Sequence, residues 1–149
     1  MTTNNTNNAV AEVDIRERIE SLLNAVRTGD VETLRTIFAP NIVSFDIEAP
    51  LRHLGAEKKM ANWAQVFTVF QLPLEYETRD LTVLVDGSLA VVYSLNHMNA
   101  SMGNGGKIDY WLRWTSAWQK LDGEWKIVHD QVSVPIYFPE GRPAMDLMP

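Results

Sequence analysis

Two long, aromatic-rich segments joined by Asp122-Gly123 constrain the fold of this chain more than any other feature. They occupy residues 110–134, with the sequence YWLRWTSAWQKLDGEWKIVHDQVSV. Asp-Gly between two segments rich in β-branched and aromatic residues is a strong hairpin signal. The sequence therefore predicts two long antiparallel strands, around which the rest of the chain is organised.

Two registers are open to this hairpin. A two-residue loop sets Lys120 opposite Trp125, whereas a three-residue loop that ends in Gly123 sets Lys120 opposite Glu124. We favour the three-residue loop because Gly123 supplies the left-handed residue that this loop needs, and because Lys120 then meets an opposite charge. The choice matters, since a slip of one residue exchanges the two faces of a strand.

The favoured register gives the hairpin one face of mixed chemistry. This face carries Trp111, Arg113, Thr115, Ala117, Trp125, Ile127, His129, Gln131 and Ser133. A buried polar group without a partner costs about 1–3 kcal/mol. Such a cluster is therefore either a closed hydrogen-bond network or the lining of a wet pocket. We favour the pocket because the cluster is wide and includes a cation, an imidazole, an amide and hydroxyls.

The other face of the hairpin is aromatic and aliphatic. It carries Tyr110, Leu112, Trp114, Trp118, Val128, Val132 and Val134, with Ser116 and Asp130 as polar exceptions. A solvated outer face would be mostly charged. Something must therefore cover this face, and we predict a homodimer that pairs through Trp114 and Trp118.

Composition narrows the classes of function. A chain of 149 residues with 46% hydrophobic and 21% charged residues is typical of one globular domain with a sizeable core. The net charge of −6 and the lack of a Lys/Arg cluster argue against binding to nucleic acid or to anionic membranes. The chain has no cysteine, so disulfides and thiol catalysis are excluded. No segment approaches the ~20 apolar residues of a membrane helix, and we expect a soluble, cytoplasmic protein.

Three helices are predicted in the first half of the chain. The polar N-terminus predicts a disordered tail over residues 1–12, followed by one domain over residues 13–149. Asp14 and Glu17 form a capping-box pattern, which places the start of the first helix at Asp14. Asp30 can cap a short second helix, which Pro40 ends. A third helix spans residues 56 to about 69, and the end of its apolar stripe offers Trp63 and Phe67 as residues that line a cavity.

Short and long strands fill the remainder. Asp46 lies near the end of a strand over residues 42–47, either as a turn-bonding aspartate or as a carboxylate at the rim of a cavity, where burial would raise its pKa. Further strands run from about residue 74 to 85 and from 89 to 99. Tyr93 and His97 share one face of the latter strand, and the sequence does not say whether that face is inward. Prolines predict an irregular tail from about residue 135.

This order of elements resembles the nuclear-transport-factor-two-like superfamily, and most closely its SnoaL-like and ketosteroid-isomerase-like branches. The resemblance is strongest in LLNAVRTGDVETLRTIFAPNIVSFD near the front and WLRWTSAWQKLDGEWKIVHDQVSVP near the end. It implies an α+β fold in which three N-terminal helices close a curved, mainly antiparallel sheet into a cone over a mostly apolar pocket. It also implies dimers that pair through the outer sheet face.

The resemblance extends to single residues. Asp46 falls where ketosteroid-isomerase-like enzymes carry the aspartate that moves a proton. Leu22 and Ala117 fall where those enzymes carry their oxyanion donors, so steroid isomerisation itself is disfavoured. Arg113 and His129 match a pattern of SnoaL-like relatives, which implies that they supply charge stabilisation and proton transfer instead.

We therefore predict acid–base chemistry of isomerase, cyclase or hydratase type on a small hydrophobic carbonyl compound, with Asp46, Arg113 and His129 as catalytic residues. The predicted ligand-binding residues are Trp63, Phe67, Tyr93, His97, Trp111, Thr115 and Gln131. No metal or organic cofactor is expected, because the histidines lack metal-ligand spacing. A non-catalytic protein that binds a small ligand and a structural dimer module are the alternatives, since this fold hosts all three.

Overall fold

A computed structural model describes residues 2–149 of the chain, with side chains from Asn4 onward. The elements are α1 (Thr2–Thr28), α2 (Val31–Ile37), β1 (Phe38–Phe45), β2 (His53–Leu54), α3 (Ala56–Val69), β3 (Glu75–Asp86), β4 (Leu89–Ser101), β5 (Lys107–Leu121) and β6 (Glu124–Ser133). The strands form a curved sheet in the order β2-β1-β6-β5-β4-β3. Every neighbouring pair is antiparallel except β1 with β6. The predicted α+β class is confirmed.

Helix α1 begins earlier than the sequence pattern predicts. Asp14 lies inside the helix rather than at its N-cap, and the segment predicted to be disordered is helical from Thr2 onward, while residue 1 lies outside the described part of the chain. The buried stripe of the helix is Ala11, Ile15, Ile19, Leu22, Leu23 and Val26. Asn8 Oδ1 also accepts a hydrogen bond from the Gly87 amide at 3.2 Å. Tertiary contacts therefore extend the helix past the capping signal.

Helix α2 is capped as predicted. The Asp30 carboxylate accepts hydrogen bonds from the Thr33 amide at 3.0 Å and from the Thr33 hydroxyl at 2.6 Å. These bonds hold the pKa of Asp30 below its ordinary value. The helix ends at Ile37, and the chain continues directly into β1, before Pro40 is reached.

The hairpin loop has two residues rather than the three that we favoured. Lys120 pairs with Trp125, and Leu121 pairs with Glu124. Asp122 and Gly123 both have positive φ, at 49° and 82°, as a two-residue hairpin turn requires. An exposed Lys–Glu pair contributes only about 0–1 kcal/mol, which is too little to set the register.

A β-bulge then shifts the register of the same hairpin. Ala117 pairs with His129, whereas Trp118 pairs with Ile127, so Val128 is the extra residue. Beyond the bulge, Thr115 pairs with Gln131. An extra residue reverses the inward parity of a strand. The inward side chains of β6 are thus Trp125 and Ile127 before the bulge, and Asp130 and Val132 after it.

The two faces of β5 are the reverse of our prediction, as the burial of their side chains shows. Trp118 is 0% exposed and Trp114 is 5% exposed, and both belong to the core between the sheet and the helices. Arg113 and Thr115 are exposed on the outer face. The aromatic face is covered by helices of its own chain, so the predicted dimer surface at Trp114 and Trp118 is wrong.

Candidate functional site

A cavity of about 80 Å³ lies on the inner face of the sheet. Its lining includes Leu22, Phe38, Asp46, Lys59, Trp63, Tyr76, Met98, Tyr110, Leu112, Trp114, Asp130 and Val132. One water molecule needs about 10–15 Å³, so the space is several times larger than that. A groove of about 270 Å³ shares Glu48, Asn62, Val66 and Phe70 with the cavity. The cavity therefore opens outward beside α3.

A buried lysine lies between two carboxylates at this cavity. Lys59 is in the first turn of α3 and is 1% exposed. Its Nζ lies 2.5 Å from Asp46 Oδ2 and 3.6 Å from Asp130 Oδ2. Burial by itself would lower the pKa of Lys59, but the negative charges of Asp130 and Asp46 outweigh burial and raise the pKa above its ordinary value. Lys59 is therefore an ammonium ion.

Asp46 follows the last residue of β1 and has both carboxylate oxygens engaged. Its Oδ1 accepts the Ile47 amide at 2.9 Å, and its Oδ2 accepts Lys59 Nζ and, at 3.4 Å, Asn62 Nδ2. Asp46 thus bonds a turn amide and also lines the cavity.

Asp130 has a free oxygen at the same cavity. The residue is 2% exposed, and its Oδ2 faces Lys59. Its Oδ1 is buried and has no hydrogen-bond partner among the residues that the structure describes. A buried acceptor in this state costs about 1–3 kcal/mol. Asp130 therefore brings to the lining of the cavity a carboxylate with one oxygen that lacks a hydrogen-bond partner in the described chain.

Hydrogen-bond donors lie around the same space. The Tyr76 hydroxyl oxygen accepts Asn96 Nδ2 at 2.8 Å, and Asn96 Oδ1 accepts the Ser94 hydroxyl at 2.6 Å. Within the described chain nothing accepts the Tyr76 hydroxyl hydrogen or the buried Trp63 Nε1–H. Burial raises the pKa of Tyr76, which keeps it a neutral donor. Burial also raises the pKa of Tyr110, whose hydroxyl donates to Met98 Sδ at 3.8 Å.

The arrangement suits proton transfer more than metal binding. One free carboxylate oxygen, an ammonium and two free donors surround a small and largely apolar space. In the part of the chain that the structure describes, no three His, Cys, Asp or Glu side chains are grouped to hold a metal ion. A base beside fixed donors can remove a proton and stabilise the negative charge that results.

Only some of the predicted site residues lie at the cavity. Asp46 and Trp63 line it. Phe67 stacks on Trp63 with ring centroids 5.4 Å apart, but it does not reach the lining. These positions follow from the apolar stripe of α3, which faces the sheet.

The predicted cation and imidazole lie on the outer face of the sheet. Arg113 is exposed, and its Nε donates to Ser133 Oγ at 3.2 Å. His129 Nδ1 lies 2.6 Å from the Val43 carbonyl oxygen, and the ring packs edge-on against Phe45. The prediction that Arg113 and His129 point into one hollow with Asp46 is therefore wrong: the two share one face of the hairpin, but that face is the outer one.

The other predicted ligand-binding residues share that outer face. Tyr93, Thr115 and Gln131 are exposed. His97 stacks on Trp111 with ring centroids 4.7 Å apart. Its Nε2 lies 2.7 Å from a carboxylate oxygen of Asp109 in β5, and its Nδ1 lies 3.4 Å from a carboxylate oxygen of Glu77 in β3. None of these residues lines the cavity.

Sequence reasoning missed Lys59, Tyr76, Asn96 and Asp130 as site residues. A usable signal existed for two of them. Asp130 is a charged exception on an otherwise apolar strand face, and Lys59 falls within the helical spacing of Met60 and Trp63. A charged residue at an apolar position is costly unless it has a partner or a function.

Solved structures with this architecture place the chain in a class. An NTF2-like protein of unknown function from Pseudomonas putida KT2440 is 28% identical with a TM-score of 0.85, over 95% of this chain and 98% of that one. A ketosteroid isomerase-like protein from Erwinia carotovora atroseptica is 16% identical with a TM-score of 0.70, over 81% and 93%. The association domain of C. elegans CaMKII is 20% identical with a TM-score of 0.70, over 86% and 98%.

Sheet order, helices and these likenesses define a protein of the nuclear transport factor 2-like class. Residues 15–137 match the model of the SnoaL-like domain, and the chain belongs to that family. A comparison with curated proteins finds no match. No helix within residues 2–149 is long and apolar enough to cross a bilayer.

Proposed function

We propose that this protein is an enzyme that performs acid–base chemistry on a small hydrophobic carbonyl compound in the inner cavity. The observation that carries the proposal is the buried Asp130 Oδ1, which lacks a hydrogen-bond partner in the described chain. The residue Asp130 lines the same cavity as Lys59 and Tyr76. A catalytic base needs a free lone pair beside groups that stabilise the product charge.

Asp130 is a better candidate for the base than Asp46. The oxygens of Asp46 are committed to Ile47, Lys59 and Asn62, so a proton could reach them only by displacing a donor. Asp130 uses only Oδ2 toward Lys59. Asp46 then serves to hold the Lys59 ammonium in place.

The proposed reaction moves one proton. A C–H bond next to the carbonyl breaks, its proton forms an O–H bond with Asp130 Oδ1, and its electron pair becomes an enolate. The Tyr76 hydroxyl donates a hydrogen bond to the enolate oxygen, and the positive charge of Lys59 lowers the energy of the ion. Asp130 then returns the proton to another carbon, which completes an isomerisation, or gives it to a β leaving group that departs with its bonding electron pair, which completes an elimination.

The size of the cavity bounds the substrate. Pockets that hold drug-sized ligands enclose about 300–1,000 Å³. A cavity of about 80 Å³ favours a compact ketone or enone, with any longer portion lying in the groove beside α3. A cytoplasmic location stays a prediction from the sequence.

The test is the isomerisation of 3-cyclohexen-1-one to 2-cyclohexen-1-one, followed by ultraviolet absorbance. Loss of a general base costs about 10²–10⁴ in rate, so we expect Asp130→Asn to lose turnover by that factor. The control is Asp109→Asn, which makes the same change at an exposed carboxylate of the outer face. Full turnover by Asp130→Asn would contradict the proposal.

A non-catalytic binding protein is the second candidate. The oxygens of Asp46 favour it, because they already have hydrogen-bond partners within the protein and are not free to take a proton from a ligand. Under this alternative the wild-type protein binds the ketone, seen as a rise in Tm with ligand concentration, and never turns it over. The same assay mixture decides between binding and catalysis.

We also propose that two copies of the chain associate through the outer face of the sheet. The support is an exposed apolar patch at Leu84, Leu89, Val91 and Tyr93, on the neighbouring strands β3 and β4. Contiguous exposed apolar area of this kind marks association surfaces. The structural likeness to a domain named for association agrees with self-association.

A further inference from the structure

Three buried polar residues lie side by side across the edge of the sheet. Ser44 of β1 is the register partner of His53 in β2 and of Asp130 in β6. All three are buried. Side chains at paired positions of neighbouring strands point to the same face, and in an antiparallel pair such as Ser44 with His53 their Cβ atoms lie about 4.5–5.5 Å apart. His53, Ser44 and Asp130 therefore form one row on the inner face.

Each residue of this row has a buried polar atom that lacks a hydrogen-bond partner in the described part of the chain. The atoms are His53 Nε2, Ser44 Oγ and Asp130 Oδ1. A serine hydroxyl donates one hydrogen bond and accepts others, and it moves between staggered χ1 positions at low cost. Ser44 stands between a carboxylate and an imidazole, so its rotation can connect all three. Closing the row gives a hydrogen-bond partner to three buried polar atoms that are costly to leave without one.

We propose that His53, Ser44 and Asp130 form a hydrogen-bonded relay that carries the proton of Asp130 to the edge of the sheet. The inference rests on the proposed function, in which Asp130 takes a proton from the substrate. Strand β2 is the edge strand, and Arg52 and Leu54 on either side of His53 are exposed. The relay thus leads from the cavity to the rim of the molecule.

The other polar neighbours of Asp130, Lys59 and Ser116, are already engaged with other groups. Lys59 lies on its cavity side and is already fully protonated, and it is shared with Asp46. Ser116, the β5 neighbour of Asp130, has its oxygen engaged by Trp118 Nε1 at 2.9 Å. Ser44 is the neighbour with a free hydroxyl.

The relay conserves protons at each step. The Asp130 O–H bond breaks as its proton passes to Ser44 Oγ, and the original Ser44 proton passes to His53 Nε2. Asp130 is then a carboxylate, Ser44 is again a neutral hydroxyl and His53 is an imidazolium. His53 releases its Nδ1 proton to solvent, and the reverse sequence reprotonates Asp130. Ser44 and His53 act through Asp130 and touch no substrate.

The first test reads the row without any substrate. Long-range ¹H–¹⁵N spectra of the full chain report the protonation state and exchange rate of His53 Nε2. We expect Ser44→Ala and Asp130→Asn each to change the Nε2 signal of His53, and Ser44→Thr, which keeps the hydroxyl, to preserve it. Ser94→Ala, a buried serine of the inner face outside the row, should leave it unchanged. An Nε2 signal that is the same in all four variants would overturn the relay.

The second test follows the proton itself. Isomerisation of 3-cyclohexen-1-one in D₂O gives product that keeps protium when Asp130 returns the captured proton before it exchanges. We expect His53→Gln and Ser44→Ala to raise the fraction of protium-retaining product, because the route to solvent is broken. An unchanged fraction would overturn the relay. If the wild type shows the coupled Nε2 signal but no isomerisation, the proposed function fails while the hydrogen-bonded row stands.

Discussion

At the scale of residues, the site depends on three buried charges, those of Lys59, Asp46 and Asp130, which stabilise one another. Lys59 neutralises part of the charge of Asp46 and Asp130, and the two carboxylates keep Lys59 protonated. The sequence singled out Asp46 correctly as a cavity residue, because it stands at a strand end among apolar residues. It could not reveal Lys59 as its partner, since thirteen positions and a helix start separate them in the chain.

Replacement of Lys59 by an uncharged residue should strongly destabilise the folded protein. Removing one partner of a buried ion pair leaves an uncompensated charge, so Lys59→Met should lose about 3–5 kcal/mol in urea unfolding at pH 7. The control is Arg35→Met, which removes an exposed partner of Glu57 and should cost at most about 1 kcal/mol. A loss at Lys59 no larger than at Arg35 would show that the buried charges are not coupled.

The stability difference between the wild type and Lys59→Met should depend on pH. The folded pKa of Lys59 is raised, so its contribution is fully present below the unfolded pKa of about 10.4 and is lost as the pH rises through the folded value. The unfolded chain then binds fewer protons than the folded one, and stability falls. The difference in the free energy of unfolding between the wild type and Lys59→Met should therefore decrease above about pH 10.4, and should stay constant between pH 7 and 9.

At the scale of elements, the hairpin shows what a pattern can and cannot specify. The position of the turn follows from Asp122-Gly123. Which face of each strand is inward does not follow from it. Strand β5 has tryptophans on both faces, Trp111 on one and Trp114 and Trp118 on the other, so no strict alternation marks the core side. The bulge at Val128 then changes the parity of β6 in mid-strand, which a count from the turn cannot anticipate.

The turn itself can be tested with one methyl group. Gly123 has a φ of 82° and no atom within 4 Å of an added Cβ, so Gly123→Ala isolates the cost of the left-handed backbone. That cost is about 1–2 kcal/mol, and we expect a matching loss in urea unfolding. Gly103→Ala is the matched control, because that position is equally open and has no positive φ. Equal effects at the two glycines would contradict the left-handed conformation of Gly123.

At the scale of the whole molecule, the sequence identified the architecture but assigned the cover of the sheet wrongly. A face with Trp114 and Trp118 does require a cover, and that premise was sound. The cover is supplied by the helices, whose buried stripes include Ile15, Ile19 and Met60. Strand pattern alone does not distinguish a subunit interface from a core, because both are apolar. The outer face is then the one left for a partner.

Association should therefore depend on Val91 and not on the tryptophans. Val91 lies at the middle of the exposed patch, paired with Leu84 on one side and with Ala117 on the other. Across a two-fold interface, a carboxylate at this position faces either the same carboxylate of the other copy or an apolar surface. A buried charge without a partner is costly. We expect wild-type protein to elute as a dimer and Val91→Glu as a folded monomer in chromatography with light scattering. Leu51→Glu, at a fully exposed loop position, should stay dimeric. A dimer that survives Val91→Glu would place the interface elsewhere, and a monomeric wild type would leave the patch without a second copy to cover it.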